Sequence, residues 1–563
     1  MVKNSKRPDF EEELLEEKAE RYPGDTNFQK WGFDLHPQVA PISGGLVIIF
    51  IILTLTFKEQ ASTVFDATLN GIATYGGWFY ILAANIFLGV VLIFAFSNYG
   101  RIRLGGQDAR PEFSTFAWFA MLLSAGMGIG LMFWSVGEPM FHFTSPPGLF
   151  GSEGGTPDAA STAMTTTFYH WGLHPWGLYA LVGLGLAFFA FNRGLPLTMR
   201  SVFYPLLGER IYGWPGNIID ILAVVADLFG LATSLGLGVQ QVAAGLSFLI
   251  PAIPAEVPTQ VTLIVIITGF ATLSVMAGLD GGVRRLSEWN LYLAAIFMFF
   301  VLLLGPTLFI FDTFVQNVGN YVARFPMLSF WTESFGEGEG GWQNAWTVFY
   351  WGWWISWSPF VGMFIARVSR GRTIREFVMG VLIAPTVLSF LWLSTMGGAA
   401  LNLQLTNTAD IAGAVQENVA TAMFFMLDSL PLTALSSIVG ILLVTIFFVT
   451  SSDSGSLVVD NLTSGGKLDS PVTQRVFWAV MEGVVAAVLL LGGGLTALQT
   501  AAITTGLPFA LVLLVMCYSL NLGLSKELQE LERAELEEAE AKREEKIAAV
   551  MSSRQQARFA QDE

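Results

Sequence analysis

Residues 116–139 read FAWFAMLLSAGMGIGLMFWSVGEP, an apolar stretch long enough to cross a bilayer, with Gly126, Gly128 and Gly130 near its centre. About 20 apolar residues in a helix span the hydrocarbon core, and each glycine in a helix interior costs roughly 1 kcal/mol relative to alanine. This segment alone leaves two interpretations open. The glycines allow close packing of membrane helices, or they mark a point where one helix unwinds.

Residues 447–456, FFVTSSDSGS, place polar side chains inside another apolar segment. Polar clusters at membrane depth are expensive and indicate function by default. These side chains are Thr450, Ser451, Ser452, Asp453 and Ser454. Hydroxyl groups, together with carbonyls freed at an unwound helix, are oxygen ligands suited to sodium. Taken with residues 116–139, this segment favours broken helices around an ion site.

The composition places the chain in a membrane. Of its 563 residues, 53% are hydrophobic and 13% are charged, whereas soluble proteins carry about 25% charged residues. The first forty residues are polar and lack the apolar core of a secretory signal. The single cysteine, Cys517, can form no intramolecular disulfide. The net charge of -16 argues against nucleic acid as a partner.

Hydropathy windows of about nineteen residues predict an all-α integral membrane protein with twelve transmembrane helices. These are placed at residues 40–57, 77–98, 114–143, 160–191, 216–249, 258–279, 289–311, 342–368, 373–400, 431–460, 473–493 and 497–523. An amphipathic external stretch at residues 312–325 separates the seventh span from the eighth.

Basic residues cluster in alternate loops, for example Arg101, Arg193 and Arg370, whereas the opposite loops are mainly acidic. Because cytoplasmic loops carry the excess of Lys and Arg, we expect both termini on the cytoplasmic side of a cell inner membrane. The last segment favours a solvated helix with i, i+4 charge pairs such as Glu538 with Lys542. The chain is predicted to consist of a cytoplasmic tail at residues 1–39, a twelve-helix domain at residues 40–524 and a charged cytoplasmic helix at residues 525–563.

Two segments concentrate aromatic residues, YHWGLHPWGLY at 169–179 and WTVFYWGWWISWSPF at 346–360. Interfacial belts are the usual place for such residues, but these lie within spans and on more than one helical face. Ring faces attract cations by about 0.5–2 kcal/mol per contact. The cluster therefore predicts a ligand with a methylated ammonium group, because such a group has no hydrogen-bond donor. A zwitterion such as glycine betaine adds no net buried charge.

Other polar residues within the predicted spans could have functional or structural roles. Asp227 is expected to be functional because of its depth in a span, and the roles of sodium ligand, proton carrier and structural ion pair all stay open. His170 and His174 have a spacing that could chelate a metal, but without a third ligand they are expected to pack helices. Glu138 and Glu482 lie nearer span ends, where structural pairing is expected. No nucleotide-binding or catalytic motif is present in the sequence, so we expect no enzyme and no ATP-driven process.

Five longer motifs follow one another along the chain: GMGIGLMFW at 126–134, HWGLHPWGLY at 170–179, ATSLGLG at 232–238, FYWGWWISWSPFVGMFIARVSRGRTIREF at 349–377 and FFVTSSDS at 447–454. With them the chain resembles the betaine/choline/carnitine transporter family over roughly residues 40–525. The resemblance implies two peripheral helices followed by two inverted five-helix repeats, LeuT-like, at about residues 114–311 and 342–523. It also implies a homotrimer surrounded by membrane lipids.

The resemblance also implies site residues, by motif position. The aromatic path and box for the substrate would consist of Trp171, Trp176, Tyr179, Trp351, Trp353, Trp354 and Trp357. The substrate carboxylate would meet backbone N–H groups of the unwound segment, with Ser234 assisting; that segment includes Ala125, Gly126 and Met127. One sodium ion would be held by carbonyls near Ser124 and Met127, the carbonyl of Phe447 and the hydroxyls of Thr450 and Ser451.

Two positions depart from patterns within the family. Near Phe360, betaine-importing relatives form a second sodium site with threonines where this chain has Asp227 and Leu231, so Asp227 marks a possible second sodium or proton site. Choline-accepting relatives place an acid where this chain has Gly130, which favours betaine over choline.

The function predicted from the sequence is sodium-coupled symport that imports glycine betaine or a related quaternary-ammonium solute by alternating access. Sodium is the coupling ion, and no other cofactor is expected. The alternatives are a proton-coupled carrier, a choline, carnitine or ectoine carrier, and an osmosensor that signals through its C-terminal tail.

Overall fold

Long helices follow one small hairpin near the start of the chain. The computed structural model describes residues 22–126, 128–277, 284–336 and 341–559. Strands β1, Phe28–Lys30, and β2, Phe33–Leu35, pair antiparallel. Trp31 and Gly32 join the strands with φ angles of 55° and 78°, and such a two-residue turn suits the natural twist of a hairpin.

Ten longer helices occupy the first part of the described chain. They are α1 Val39–Thr56, α2 Lys58–Phe96, α3 Thr115–Gly126, α4 Ile129–Thr144, α5 Pro157–Trp171, α6 Leu173–Phe191, α7 Trp214–Leu249, α8 Val257–Ala277, α9 Arg284–Leu304 and α10 Thr307–Phe330. Four more follow: α11 Thr347–Arg367, α12 Ile374–Leu405, α13 Thr433–Thr463 and α14 Val472–Phe559. Shorter helices and 3₁₀ turns connect them at Asn98–Arg101, Gly148–Phe150, Met199–Phe203, Tyr204–Leu207, Gly208–Tyr212, Trp342–Ala345, Ile411–Glu417, Val419–Thr421 and Ala422–Asp428.

Nine helices within the described ranges are long and apolar enough to span a membrane, with α5 and α6 counted as one. The pair α3 and α4 falls outside that number because the break between them leaves two short pieces. α11 has sufficient length, but its tryptophans make it less apolar. Each predicted span overlaps a helix or a pair of helices. The chain is therefore predominantly helical, as the hydropathy predicted.

Two features differ in detail from the predicted spans. The helix over the fourth span is interrupted at Gly172, which separates α5 from α6. The eleventh and twelfth spans lie in α14, which bends where Gly493 and Gly494 leave helical geometry. Gly494 has a φ of 61°, a conformation in which glycine has no steric penalty. Further along α14, Lys542 contacts Glu538 as the i, i+4 spacing predicted.

Helices α6 and α11 approach each other through facing glycines. A Cβ atom added to Gly183 would lie 3.2 Å from the carbonyl oxygen of Gly362, and one added to Gly362 would lie 3.1 Å from the backbone nitrogen of Gly183. Close approach of this kind is the usual role of small residues between membrane helices. It holds the aromatic residues of the two helices side by side.

The described residues before α1 are tied to the loop that follows α13. The carboxylate of Asp34 lies 2.5 Å from the ammonium of Lys467, and the Asp34 backbone donates to Gln474 at 2.8 Å. The backbone N–H of His36 donates to the carbonyl of Thr463 at 2.7 Å. These bonds anchor the hairpin to the helical bundle.

Acidic residues of α14 lie against arginines of loops predicted to be cytoplasmic. Arg193 pairs with Glu527 at 2.8 Å and with Glu530 at 2.9 Å. Arg101 pairs with Glu535 at 2.9 Å. Exposed ion pairs each contribute only about 0–1 kcal/mol and are screened by salt. They nevertheless fix where the first part of the tail lies.

His36 gives the fold a testable pH dependence. Its Nδ1 accepts from the backbone N–H of Val39 at 3.3 Å, at the start of α1, and its Nε2 lies 3.5 Å from Nη1 of Arg200. Burial, followed by the charge of Arg200, lowers the pKa of His36 to about 4. An unfolded histidine titrates near pH 6.5, so between pH 6.5 and 4 the unfolded chain binds the proton first and stability falls with falling pH.

We predict that the melting temperature of the detergent-solubilised protein decreases less steeply from pH 6.5 to 4 in His36→Asn than in the wild type. Asparagine keeps an acceptor for Val39 but does not titrate. Parallel melting curves for the two proteins over this range would show that His36 carries none of the pH dependence.

Candidate functional site

A narrow cavity lies beside the break between α3 and α4. Six predicted site residues line it: Trp171, Ser234, Trp353, Trp354, Trp357 and Ser451. They come from α5, α7, α11 and α13, so the cavity brings together four helices that are far apart in sequence. Gly128 and Gly130 complete the wall formed by the broken helix.

The helix is interrupted where the glycine stretch predicted. α3 ends at Gly126, and α4 begins at Ile129. Gly128 between them is extended, with φ -162° and ψ -174°. The first N–H groups of a helix have no intrahelical acceptor, and they attract anions. The start of α4 thus offers anion-binding donors at the cavity wall.

Some predicted ligands of this segment cannot be placed. Met127 lies outside the described residues, and so do the side chains of Ser124 and Ala125. Gly126 is described as the last residue of α3.

Four indole rings line the cavity. Three of them, Trp171, Trp353 and Trp354, form what we call the tryptophan box. The rings of Trp353 and Trp354 stack with centroids 4.6 Å apart and planes 15° apart. The ring of Trp171 stands edge-on to Trp354 at 4.9 Å and 71°. Stacked and perpendicular pairs are the favourable arrangements of aromatic rings. Their faces give the cavity negative quadrupole charge without an ionised side chain.

Each indole N–H of the box is held by a hydrogen bond. Trp353 donates to the Ser234 hydroxyl at 3.2 Å, and Trp354 donates to the carbonyl of His170 at 3.1 Å. Trp171 donates to the carboxylate of Glu138 at 2.8 Å. These bonds fix the ring orientations before any ligand binds.

Gly130 sets the distance between the broken helix and the box. A Cβ atom at this position would lie 2.7 Å from Trp353 and 3.0 Å from Trp171. Contacts this short require the rings to move. A larger residue at position 130 is therefore incompatible with this arrangement of the box.

The other predicted aromatic residues divide into two groups. Tyr179 lies 6.4 Å from Trp357 and 6.5 Å from Trp354, measured between ring centroids, and Trp176 lies 5.5 Å from Tyr179. Trp176 and Tyr179 continue the aromatic surface beyond the cavity, whereas Trp357 also lines the cavity itself. The indole N–H of Trp357 has no hydrogen-bond partner among the described residues.

Trp351 points away from the cavity, although its neighbours in sequence line it. Its ring lies 5.2 Å from Tyr169 and 5.2 Å from His174. Nε2 of His174 lies 3.1 Å from the side-chain oxygen of Asn85. The two histidines of the predicted i, i+4 pair therefore have different partners, as expected for residues that pack helices.

The polar segment of α13 places oxygens next to the cavity. The hydroxyl of Thr450 donates to the carbonyls of Ile446 at 3.0 Å and Phe447 at 3.3 Å. Ser451, the following residue, lines the cavity. Two of the predicted sodium ligands, Phe447 and Thr450, are thus neighbours in space.

Asp227 is not among the residues that line the cavity. It is fully buried in α7, two helical turns before Ser234. The backbone amide of Phe360 faces its carboxyl group, so the structure brings Asp227 and Phe360 together. Leu231, one turn after Asp227, packs against Gly455 of α13.

Glu138 has structural partners, as expected, but they come from several helices. It lies in α4, fully buried, and its carboxylate accepts from the Tyr350 hydroxyl at 2.5 Å in addition to Trp171. Its other oxygen lies 2.6 Å from His170 and 3.3 Å from His142. The sequence did not identify these partners, because they come from distant segments.

The spacing of these groups also meets the geometric requirement of a metal site. Ligand atoms of Glu138, His142 and His170 all lie within 4.8 Å of one another. However, both carboxylate oxygens already accept hydrogen bonds from the aromatic residues or lie against the histidines. The hydrogen bonds of Glu138 thus hold the side chains of Trp171 and Tyr350 in place.

Comparisons with known proteins identify similar sequences over most of the chain. The family model described as BCCT, betaine/carnitine/choline family transporter, matches residues 38–529. A glycine betaine/proline/choline transporter of Vibrio parahaemolyticus is 49% identical over 511 residues, covering 88% of this chain and 91% of the relative. Glycine betaine transporter 1 of the same organism is 48% identical, covering 90% of this chain and 97% of the relative. A glycine betaine transporter of Acinetobacter baylyi is 44% identical, covering 86% of this chain and 73% of the relative.

Glu138→Gln tests the support of the tryptophan box. An amide has one acceptor oxygen, so it cannot satisfy all the donors that face Glu138, and a buried unsatisfied donor costs about 1–3 kcal/mol. We expect a lower melting temperature and a shifted tryptophan emission spectrum. Glu112→Gln is the matched control, since Glu112 forms only an exposed pair with Arg370. Equal melting temperatures and spectra in the two variants would contradict the assigned role.

Proposed function

The chain belongs to the betaine/carnitine/choline transporter family, and from that premise we propose that it imports glycine betaine, or a related quaternary-ammonium solute, together with sodium. It is a multi-pass membrane protein and a transporter, not an enzyme. The observation that carries the proposal is the tryptophan box beside the start of α4. This pairs a surface for a methylated cation with donors for an anion.

The two ends of glycine betaine have complementary partners in the cavity. Its trimethylammonium group would contact the faces of Trp171, Trp353 and Trp354, with cation–π attraction of about 0.5–2 kcal/mol for each ring. Its carboxylate would accept from the first N–H groups of α4. Trp357, whose indole N–H has no partner among the described residues, would add a further donor. No ionised side chain is required.

Gly130 supports a zwitterionic substrate over a full cation. Choline has no carboxylate, so a counter-charge from the protein would be needed to offset its charge in the membrane. An acidic side chain at position 130 would meet Trp353 at once, because even a Cβ atom there lies 2.7 Å from that ring. Proline and choline appear in the name of one relative. For this chain we propose that both are weaker substrates than betaine.

Sodium would bind between the broken helix and α13. The proposed ligands are the hydroxyls of Thr450 and Ser451, the carbonyl of Phe447 and the carbonyls near Ser124 and Met127. An ion here would join the two elements that form the cavity wall. Sodium binding should therefore order the site and raise substrate affinity, and the coupling must be reciprocal.

The proposed transport cycle is alternating access. It assumes twelve spans, with repeats at about residues 114–311 and 342–523 moving around a site near the bilayer midplane. The number twelve leaves out α10, which contains the predicted external stretch at residues 312–325. It counts α3 with α4 as one broken span, α5 with α6 as another, and the two parts of α14 separately. Both termini would face the cytoplasm across the inner membrane, and the carrier would assemble as a homotrimer.

Thr450→Ala combined with Ser451→Ala tests the sodium site. Because two ligand hydroxyls are removed, we predict that the sodium concentration for half-maximal betaine uptake rises at least about tenfold, which corresponds to about 1.4 kcal/mol. Thr445→Ala is the matched control, since the Thr445 hydroxyl donates only to the carbonyl of Ile441 in the same helix. A sodium dependence equal to that of the control would rule out this site.

A further inference from the structure

A second cavity lies where the end of α6 meets α14. Its volume is about 250 Å³, and its walls include the apolar side chains of Phe189, Leu195 and Leu522. Gly523 lets the two helices approach there, because a Cβ atom at this position would lie 2.7 Å from the ring of Phe189. A single water-sized group needs about 10–15 Å³. The cavity therefore has room for an apolar group much larger than water.

The cavity continues an exposed apolar row on α14. Leu511, Val515 and Tyr518 are exposed, and Leu522 of the cavity wall follows four residues after Tyr518. Residues three and four apart lie on the same face of a helix, so these side chains form one row. In a multi-pass membrane protein such a row lies against acyl chains, which are as apolar as leucine. An acyl chain that follows the row reaches the cavity.

Two basic side chains, Arg193 and Lys526, complete the cavity wall. Lys526 comes one turn after Leu522 on α14, and Arg193 lies in the loop after α6 that is predicted to be cytoplasmic. The same loop leads to Trp214, the exposed first residue of α7. Tryptophans of this kind concentrate at the level of the lipid headgroups, and basic pockets between helices on the cytoplasmic side bind such headgroups. These features together indicate a phospholipid site.

Two carboxylates balance the charge at the mouth of the cavity. Nη2 of Arg193 lies 2.8 Å from Glu527 and 2.9 Å from Glu530. The guanidinium has further N–H donors on Nε and Nη1, which suit a phosphate. Oε1 of Glu530 lies 3.9 Å from the ammonium of Lys526, too far for a hydrogen bond, so it can accept from a ligand. The mouth thus matches a headgroup that carries both signs of charge.

We propose that this cavity binds a zwitterionic phospholipid with a primary ammonium group, phosphatidylethanolamine. The lipid phosphate accepts from Arg193 and Lys526, the ammonium donates to Glu530, and one acyl chain enters the cavity beside Leu522. The site is separate from the tryptophan box. It requires that the chain lies in a membrane, and it does not depend on betaine as the substrate.

The headgroup distinguishes this lipid from two other common classes. Phosphatidylglycerol has the phosphate but no cation, so its charge would face Glu527 and Glu530 without compensation. Phosphatidylcholine is zwitterionic, but its quaternary ammonium has no N–H group to donate to Glu530. A primary ammonium has three donors, and charge-assisted hydrogen bonds are roughly twice as strong as neutral ones. The site should therefore bind phosphatidylethanolamine more tightly than either of the other two lipids.

Native mass spectrometry of the full-length, detergent-solubilised protein counts bound lipids directly. The three lipids are added at equal concentrations and with identical acyl chains. We expect the wild type to bind phosphatidylethanolamine at least about tenfold more tightly than either of the others. Glu530→Gln removes the charged acceptor, so this preference should be lost. Glu532→Gln is the matched control, because Glu532 pairs with Arg101 instead, and it should keep the preference.

Leu522→Trp tests the cavity itself, because the larger ring fills the space of the acyl chain. We expect the affinity for phosphatidylethanolamine to fall at least about tenfold. Val515→Trp, on the same row of α14 but outside the cavity wall, should bind as the wild type does. A ligand that binds only the folded protein stabilises it. The lipid should therefore raise the melting temperature of Val515→Trp more than that of Leu522→Trp, and melting without added lipid shows that both variants are folded.

Four outcomes would overturn the proposal. The first is equal affinity for the three lipids, and the second is a preference for phosphatidylglycerol that Glu530→Gln leaves unchanged. The third is equal stabilisation by water-soluble phosphoethanolamine, which would assign the site to a free headgroup. The fourth is a changed oligomer mass of Leu522→Trp with an unchanged lipid count, which would mark an interface between copies of the chain. Sodium-driven betaine uptake is measured separately, so the proposed transport function stands or falls independently of these results.

Discussion

Hydrogen bonding of the backbone inside a bilayer is the constraint on which this structure depends. Lipid provides no partners for backbone N–H and C=O groups, so irregular chain at membrane depth occurs only where protein or a cavity covers it. The break between α3 and α4 meets this condition, because Gly128 and Gly130 face the cavity rather than lipid. The donors released by the break are the groups that the proposed mechanism assigns to a substrate carboxylate.

The tryptophan box follows from the same break. Any side chain at Gly130 would clash with Trp353 and Trp171 and require these rings to move. The box is rigid because its N–H groups donate to fixed acceptors, among them the carboxylate of Glu138. A preformed site loses little conformational freedom on binding. It can therefore use weak cation–π contacts for recognition.

Local patterns predicted local features well. The glycines of the third span located the break, and the i, i+4 spacing identified the contact of Glu538 with Lys542. The aromatic density indicated a box, but its spacing could not distinguish Trp353 and Trp354, which line the cavity, from Trp351, which packs on His174. That distinction depends on how α11 is rotated against α5 and α6.

Long-range partners were beyond the sequence. Glu138 meets Tyr350, 212 positions later, and Glu482 meets Ser452 across two helices. A single sequence fixes which residues are polar at membrane depth, but the packing of distant helices decides whether they support a ring, bind an ion or pair with each other. The bend of α14 at Gly493 and Gly494 lies where the predicted eleventh span ends.

Uptake of labelled glycine betaine into proteoliposomes under an inward sodium gradient tests the central claim most directly. Wild-type protein is compared with Trp354→Ala, which opens the box, and with Trp78→Ala, which removes an exposed ring of α2. The account predicts sodium-driven accumulation in the wild type and in Trp78→Ala, and a decrease of at least about tenfold in the rate at low betaine for Trp354→Ala. No accumulation in the wild type, or equal rates in the two variants, would contradict the assignment of the tryptophan box as a betaine site.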